Sequence, residues 1–292
     1  MSKQQEAALD LLNRLKRANK KARETMAINN GYTSFSDAKL QLETVIAGKR
    51  RKTPPKASKE LTDMVIAFDT TGSMSSYIDA VKKHVRELIP KLFKENPNLL
   101  ISIVAFGDYC DMKGRGVFGD AYQVIDLTND ENKLINFVKN AKDTTGGDGD
   151  EFYELVIRKI NTETSWRKGS NRNVLLIGDC SPHGVNYQYE NYVESKIDWK
   201  SEADKASKLG IVYDTLSILG AKFYVELAKL TNGVCLPFSN SNKMSDVVYA
   251  TSMARGGETT KSAFMSTMKS KSIVEDVEMS AVYSTYSKEI IK

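Results

Sequence analysis

Three short runs constrain this chain more than any other feature: MVIAF at 64–68, LLISIVAF at 99–106 and VLLI at 174–177. A strand with one wet face alternates apolar and polar residues. Nearly unbroken apolar runs of this length suit strands buried on both faces of a parallel sheet. Burying both faces requires helices on each side. Stretches with helical spacing occur at about 75–95, 130–141, 151–163, 187–208 and 221–231, and further strand-like segments at 122–127, 211–219 and 234–238. The pattern predicts an α/β fold over 61–255: a doubly wound, mainly parallel sheet of Rossmann-like type with helices on both faces. Such sheets carry their sites at the carboxyl ends of the strands.

Charge separates this body from what precedes it. The overall +5 is uneven: residues 1–60 hold 14 Lys/Arg against 6 Asp/Glu, a net +8, which leaves −3 for the rest. Ala8, Leu11, Leu12, Leu15, Ala18, Ala22 and Met26 follow three- and four-residue spacing, which predicts one amphipathic helix stopped by Asn29, Asn30 and Gly31. A second helix is expected from about 36 to 47, so 1–48 reads as a basic helical arm. The paired prolines Pro54 and Pro55 end helical structure and make 49–60 a linker. Its basic run is a solvated hinge, with contact to an acidic partner or nucleic acid as the alternative; no aromatics are interleaved for base stacking. Residues 256–292 read as a tail, helical in the main, packed back on the body or on a partner. No apolar run approaches the roughly 18–20 residues needed to cross a bilayer, the start lacks an apolar leader, and three scattered cysteines make no disulfide framework. The expectation is a soluble, cytoplasmic protein with no membrane contact.

The first apolar run ends in Asp69-Thr-Thr-Gly-Ser-Met. Asp69, Thr71 and Ser73 alternate, and a carboxylate with two hydroxyls on one turn is a hard-oxygen set suited to Mg²⁺ or Mn²⁺. The same residues would also serve as ordinary helix caps. Two further loops add to the reading. The stretch 143–151, DTTGGDGDE, is rich in oxygen donors and glycine. The third run ends in Gly178-Asp179-Cys180-Ser181-Pro182-His183-Gly184, with another carboxylate at a strand end.

The order DxTxS, an acidic glycine loop, then a strand-end Asp resembles the metal-ion-dependent adhesion site of von Willebrand factor A domains, over about residues 61–255. The chain is most similar to the intracellular branch found beside alpha-kinases, whose members resemble DTTGSM, GGGD-x-x-E, a Trp and DAP-x-HG. Here these read DTTGSM, Gly146–Glu151 in sequence, Trp166 and DCSPHG; nothing resembles the kinase itself. The resemblance implies that Asp69, Thr71 and Ser73 are metal ligands and that Asp179 matches the last ligand, usually acting through a water. It also implies that Asp148 is the middle-loop ligand where integrin-type sites supply a Thr, with Thr145 and Asp150 as neighbours able to reach instead. A direct Asp148 would add negative charge and disfavour an acidic partner group.

The implied function is non-enzymatic: a divalent-cation-dependent protein–protein interaction module whose partner protein docks on the metal face, homo-oligomers included. Two alternatives use the same loops. One is a metal-dependent hydrolase or phosphotransfer enzyme; the other is an assembly protein with a vestigial site. The DxD of one phosphohydrolase class lacks its second acid at Thr71, and no GxxxxGK(S/T) loop exists. Cys180 and His183 could form a thiol and its base, but no third group to orient the imidazole is evident. Cys110 and Asp111 are expected to line the same face. Trp166 and Trp199 read as packing residues.

Overall fold

The computed structural model describes residues 3–30, 35, 38, 39, 61–147, 149–270 and 277–291. The expected linker 49–60, most of the expected helix at 36–47, and Asp148 lie outside them. The chain forms two compact units, Met1–Ser58 and Lys59–Lys292.

In the first unit, helices α1 (Lys3–Arg17) and α2 (Lys20–Asn29) replace the single long helix expected from spacing. Asn19 makes the break: its side-chain oxygen accepts the Ala22 N–H at 3.0 Å, a cap that starts a new helix. Leu12, Leu15 and Ala38 are buried together, with Met26 and Phe35 alongside.

The second unit has the predicted doubly wound architecture. Strands β1 (Thr62–Asp69), β2 (Leu99–Phe106), β3 (Tyr122–Thr128), β5 (Asn171–Gly178), β7 (Ile211–Ser217) and β8 (Cys235–Pro237) form one sheet in the order β3-β2-β1-β5-β7-β8. All pairings are parallel except β2 with the edge strand β3. A separate ribbon pairs β4 (Asp150–Glu151) with β6 (Ser181–Pro182) in parallel.

Every residue of β1 is buried, as an unbroken apolar run at the sheet centre requires. Its side chains alternate between two cores. Met64, Ile66 and Phe68 meet α3 (Ser75–Glu95), α4 (Glu131–Asn140) and α8 (Met244–Arg255), through Ile78, Leu134 and Val248 among others. Val65 and Ala67 meet α5 (Tyr153–Glu163), α6 (Trp199–Lys208) and α7 (Lys222–Leu230), through Val156, Ala203 and Tyr224.

Helix structure does not run through 187–198. Tyr187, Tyr189 and Tyr192 instead stack or pack edge-on against buried Tyr109 at 5.1–5.8 Å, and Asp198 caps α6 by accepting the Lys200 and Ser201 N–H groups. Aromatic burial off the helical repeat wins over helix propensity there. Trp166 and Trp199 pack against the second core, as expected.

After α8, helices α9 (Glu258–Ser270) and α10 (Val277–Ile291) add Phe264, Met279, Val282 and Tyr286 to the first core. A polar clamp lies beneath them. Arg255 grips fully buried Asp214 with Nε and Nη2 at 2.7 and 2.5 Å. The Tyr286 hydroxyl donates to the same carboxylate at 3.2 Å and meets Thr251 Oγ1 at 2.8 Å. No described helix is long and apolar enough to cross a membrane.

Candidate metal centre

The carboxyl ends of β1 and β5 bring the loop residues together. β1 ends at Asp69, which is fully buried. Its Oδ1 accepts both the Thr71 N–H at 2.8 Å and the Thr71 hydroxyl at 2.7 Å; its Oδ2 accepts the Tyr153 hydroxyl at 2.8 Å. The chain then makes a 3₁₀ turn, Gly72–Met74, into α3, which leaves Ser73 Oγ 3.4 Å from Thr71 Oγ1. The three residues read from the DxTxS spacing therefore share one turn.

Tyr153 reaches Asp69 past the end of β5, where Gly178 makes room for it. A Cβ at Gly178 would sit 2.0 Å from the Tyr153 hydroxyl. Burial is the largest influence on Asp69 and pushes its carboxyl up to about 6. The Thr71 and Tyr153 hydrogen bonds oppose this, and the charge of Asp179 adds to it.

The middle loop is tied down by Asp111, one residue beyond Cys110. Asp111 Oδ1 accepts the Thr145 N–H and hydroxyl at 2.9 and 2.6 Å, and Oδ2 accepts the Gly146 N–H at 3.2 Å. Burial alone would raise Asp111, but these hydrogen bonds outweigh it and hold its carboxyl below the ordinary value. The Thr145 hydroxyl is thus engaged by Asp111. Asp150 is half-buried at the start of the β4–β6 ribbon, and Glu151 beside it is 3% exposed.

Beyond β5, Asp179 is buried and its Oδ1 lies 3.3 Å from Cys180 Sγ. One donor atom each from Asp69, Glu151 and Cys180 all fall within 4.8 Å of one another. Neither Glu151 nor Cys180 was singled out as a ligand by the sequence spacing. Ion pairs of other buried acids go to Asp63, Glu202 and Asp214, whereas Asp69 and Asp179 form none among the described residues. Buried carboxylates without a protein cation, beside two hydroxyls, fit a divalent ion in the chemistry of the donor set.

His183 departs from expectation. Asp108, 75 residues earlier, supplies the missing orienting group: its Oδ1 lies 2.6 Å from Nε2, both residues being buried, and the ring stacks on Tyr187 at 3.8 Å. The His183 N–H and the Tyr109 hydroxyl donate to buried Glu154 at 3.1 and 2.8 Å. The thiol, however, is not activated. Burial, the contact with Asp179, and the charges of Asp179, Asp69 and Glu151 hold Cys180 far above the ordinary thiol range. A depressed thiol is what a nucleophile needs.

Comparison with known proteins decides the family. The model of the von Willebrand factor type A domain matches residues 63–254. The chain belongs to that family. Such domains are commonly protein-interaction modules and typically non-enzymatic. A curated relative, described as an ariadne-like RING finger protein of Acanthamoeba polyphaga mimivirus, is 22% identical over 199 residues, covering 64% of this chain and 19% of its own. This chain therefore spans about a fifth of that relative's length.

Three solved structures are similar to this chain. An aerotolerance-related membrane protein from Bacteroides fragilis is 16% identical with a TM-score of 0.44, covering 64% of this chain and 96% of its own. The pilus adhesin SpaC from Lactobacillus rhamnosus GG, in an open conformation, is 13% identical with a TM-score of 0.49, covering 67% and 30%. The conserved hypothetical protein BatB from Bacteroides thetaiotaomicron is 15% identical with a TM-score of 0.43, covering 64% and 95%.

Proposed function

We propose that this von Willebrand factor A domain is a divalent-cation-dependent protein-interaction module of the intracellular, alpha-kinase-associated kind. Asp69, Thr71 and Ser73 would hold Mg²⁺ or Mn²⁺, with Asp179 and an acid of the 143–151 loop, Asp148 in first place, completing the shell. The observation that carries the reading is fully buried Asp69, without a protein cation among the described residues, beside two hydroxyls and the acid Asp179. When bound, the ion supplies Lewis acidity toward an oxygen of the partner protein. The chain's own residues orient that site: Tyr153 and Thr71 fix both carboxylate oxygens of Asp69, and Asp111 fixes the middle loop.

The separate reading of Cys180 as a thiol nucleophile is weakened by the burial and neighbouring carboxylates that push its thiol up. Calorimetry on the full chain tests the proposal: Mg²⁺ or Mn²⁺ binds at one equivalent, and Asp69→Ala abolishes the heat. Equal affinity in Asp69→Ala overturns it, as does protein capture that survives EDTA unchanged.

A further inference from the structure

The Cys180 sulfur has no part in the oxygen-only site just described, although it lies within it. Resting on that reading and extending it, we infer that Cys180 and Glu151 join Asp69 as a mixed thiolate–carboxylate donor set, so that the centre takes a thiophilic divalent ion of the Zn²⁺ class more tightly than Mg²⁺.

Three observations converge. First, the donor atoms of Asp69, Glu151 and Cys180 are mutually within 4.8 Å. Tetrahedral donors at bond lengths of about 2.0–2.3 Å stand about 3.3–3.8 Å apart, so an inward movement of about 1 Å brings the set onto one ion.

Second, the backbone holds this arrangement. The β4–β6 ribbon sets Asp150 opposite Ser181 and Glu151 opposite Pro182, which pins the glutamate beside the segment following Cys180. Gly146, at a φ of 64°, leaves the space into which Glu151 Oε1 fits: a Cβ there would approach that oxygen to 2.8 Å and the Thr71 methyl to 3.3 Å. The glutamate is thus lodged against the same turn that presents Asp69.

Third, the local charge is one-sided. Asp69, Glu151 and Asp179 are each less than a tenth exposed, and Asp179 Oδ1 lies 3.3 Å from the Cys180 sulfur. A thiol surrounded by buried carboxylates is a poor nucleophile, but it is a good ligand once a dication offsets those charges.

The donor chemistry sets the preference. Magnesium requires oxygen ligands in a near-ideal octahedron and gains little from sulfur, whereas zinc and cadmium bind thiolate strongly. As the Sγ–metal bond forms, the S–H bond breaks and its proton leaves to solvent; no electron is transferred.

Cadmium provides the probe, through the ultraviolet band of thiolate-to-cadmium charge transfer. The full chain, kept reduced and stripped of metal, is titrated with Cd²⁺ beside Cys180→Ser and Cys110→Ser, with circular dichroism to establish that each variant folds. Expected is a one-thiolate band saturating at one equivalent, lost in Cys180→Ser and kept in Cys110→Ser. Zn²⁺ competes it away, and Cys180→Ser weakens Zn²⁺ by at least about tenfold. A band lost in Cys110→Ser, or no band while Mg²⁺ still binds, overturns the thiolate assignment and leaves the oxygen site standing. Binding of neither ion overturns both.

Discussion

Asp69 should make the metal-free domain less stable as pH rises, and the magnitude follows from its surroundings. Its carboxyl is pushed from the ordinary 3.8 up to about 6, chiefly by burial. Between these values the folded state binds more protons than the unfolded one, so stability falls as pH rises. The contribution is fully present below about pH 4 and lost by about pH 6. A shift of roughly two units corresponds to about 3 kcal/mol. Asp69→Asn removes the charge without enlarging the side chain. Its amide oxygen can still accept from Thr71, and the Tyr153 hydroxyl can turn its proton toward the neighbouring buried Tyr224 hydroxyl. Guanidinium unfolding in EDTA, from pH 4 to 8, is the assay. Wild type should lose about 3 kcal/mol across the pH 4–6 window relative to Asp69→Asn, and the variant should be the more stable protein at pH 7. Parallel pH profiles for the two proteins would refute the burial argument. Saturating Mg²⁺ at pH 7 should raise wild type alone.

Two substitutions away from the ion probe the frame. Arg255→Met leaves Asp214 buried with only the Val234 N–H and the Tyr286 hydroxyl, and should cost about 3–5 kcal/mol in the same unfolding assay; pairing it with Asp214→Asn should recover much of that loss. Gly178→Ala drives a methyl into the Tyr153 hydroxyl, so it should cost about 1–3 kcal/mol by denaturation and weaken Mg²⁺ binding by calorimetry, because Tyr153 can no longer hold Asp69.

The sheet was legible because burial on both faces leaves unbroken apolar runs, and 64–68, 99–106 and 174–177 lie within β1, β2 and β5. The Asp69–Thr71–Ser73 turn was legible for a local reason: three donors two residues apart need only one bend. Other features depend on distant partners. Glu151 acquires its place from a two-residue pairing with 181–182, and His183 from Asp108, contacts that leave no periodic trace. The segment 187–198 reads as helix in sequence, whereas Tyr187, Tyr189 and Tyr192 pack on distant Tyr109 instead. Asn19 shows the opposite case. The cap that splits α1 from α2 was visible as a residue type, but apolar spacing on both sides concealed it.

The ribbon of Asp150–Glu151 against Ser181–Pro182 and the hydrogen bonds of Asp111 have a common effect on timing. They join the middle loop to its neighbours through backbone pairing and the Asp111 carboxylate, independently of any ion. The order these loops need is therefore supplied during folding, and a cation arriving later gives up mainly its own hydration rather than the freedom of the chain. On the proposed reading, the face keeps its shape before an ion arrives, and binding the ion changes its charge more than its form.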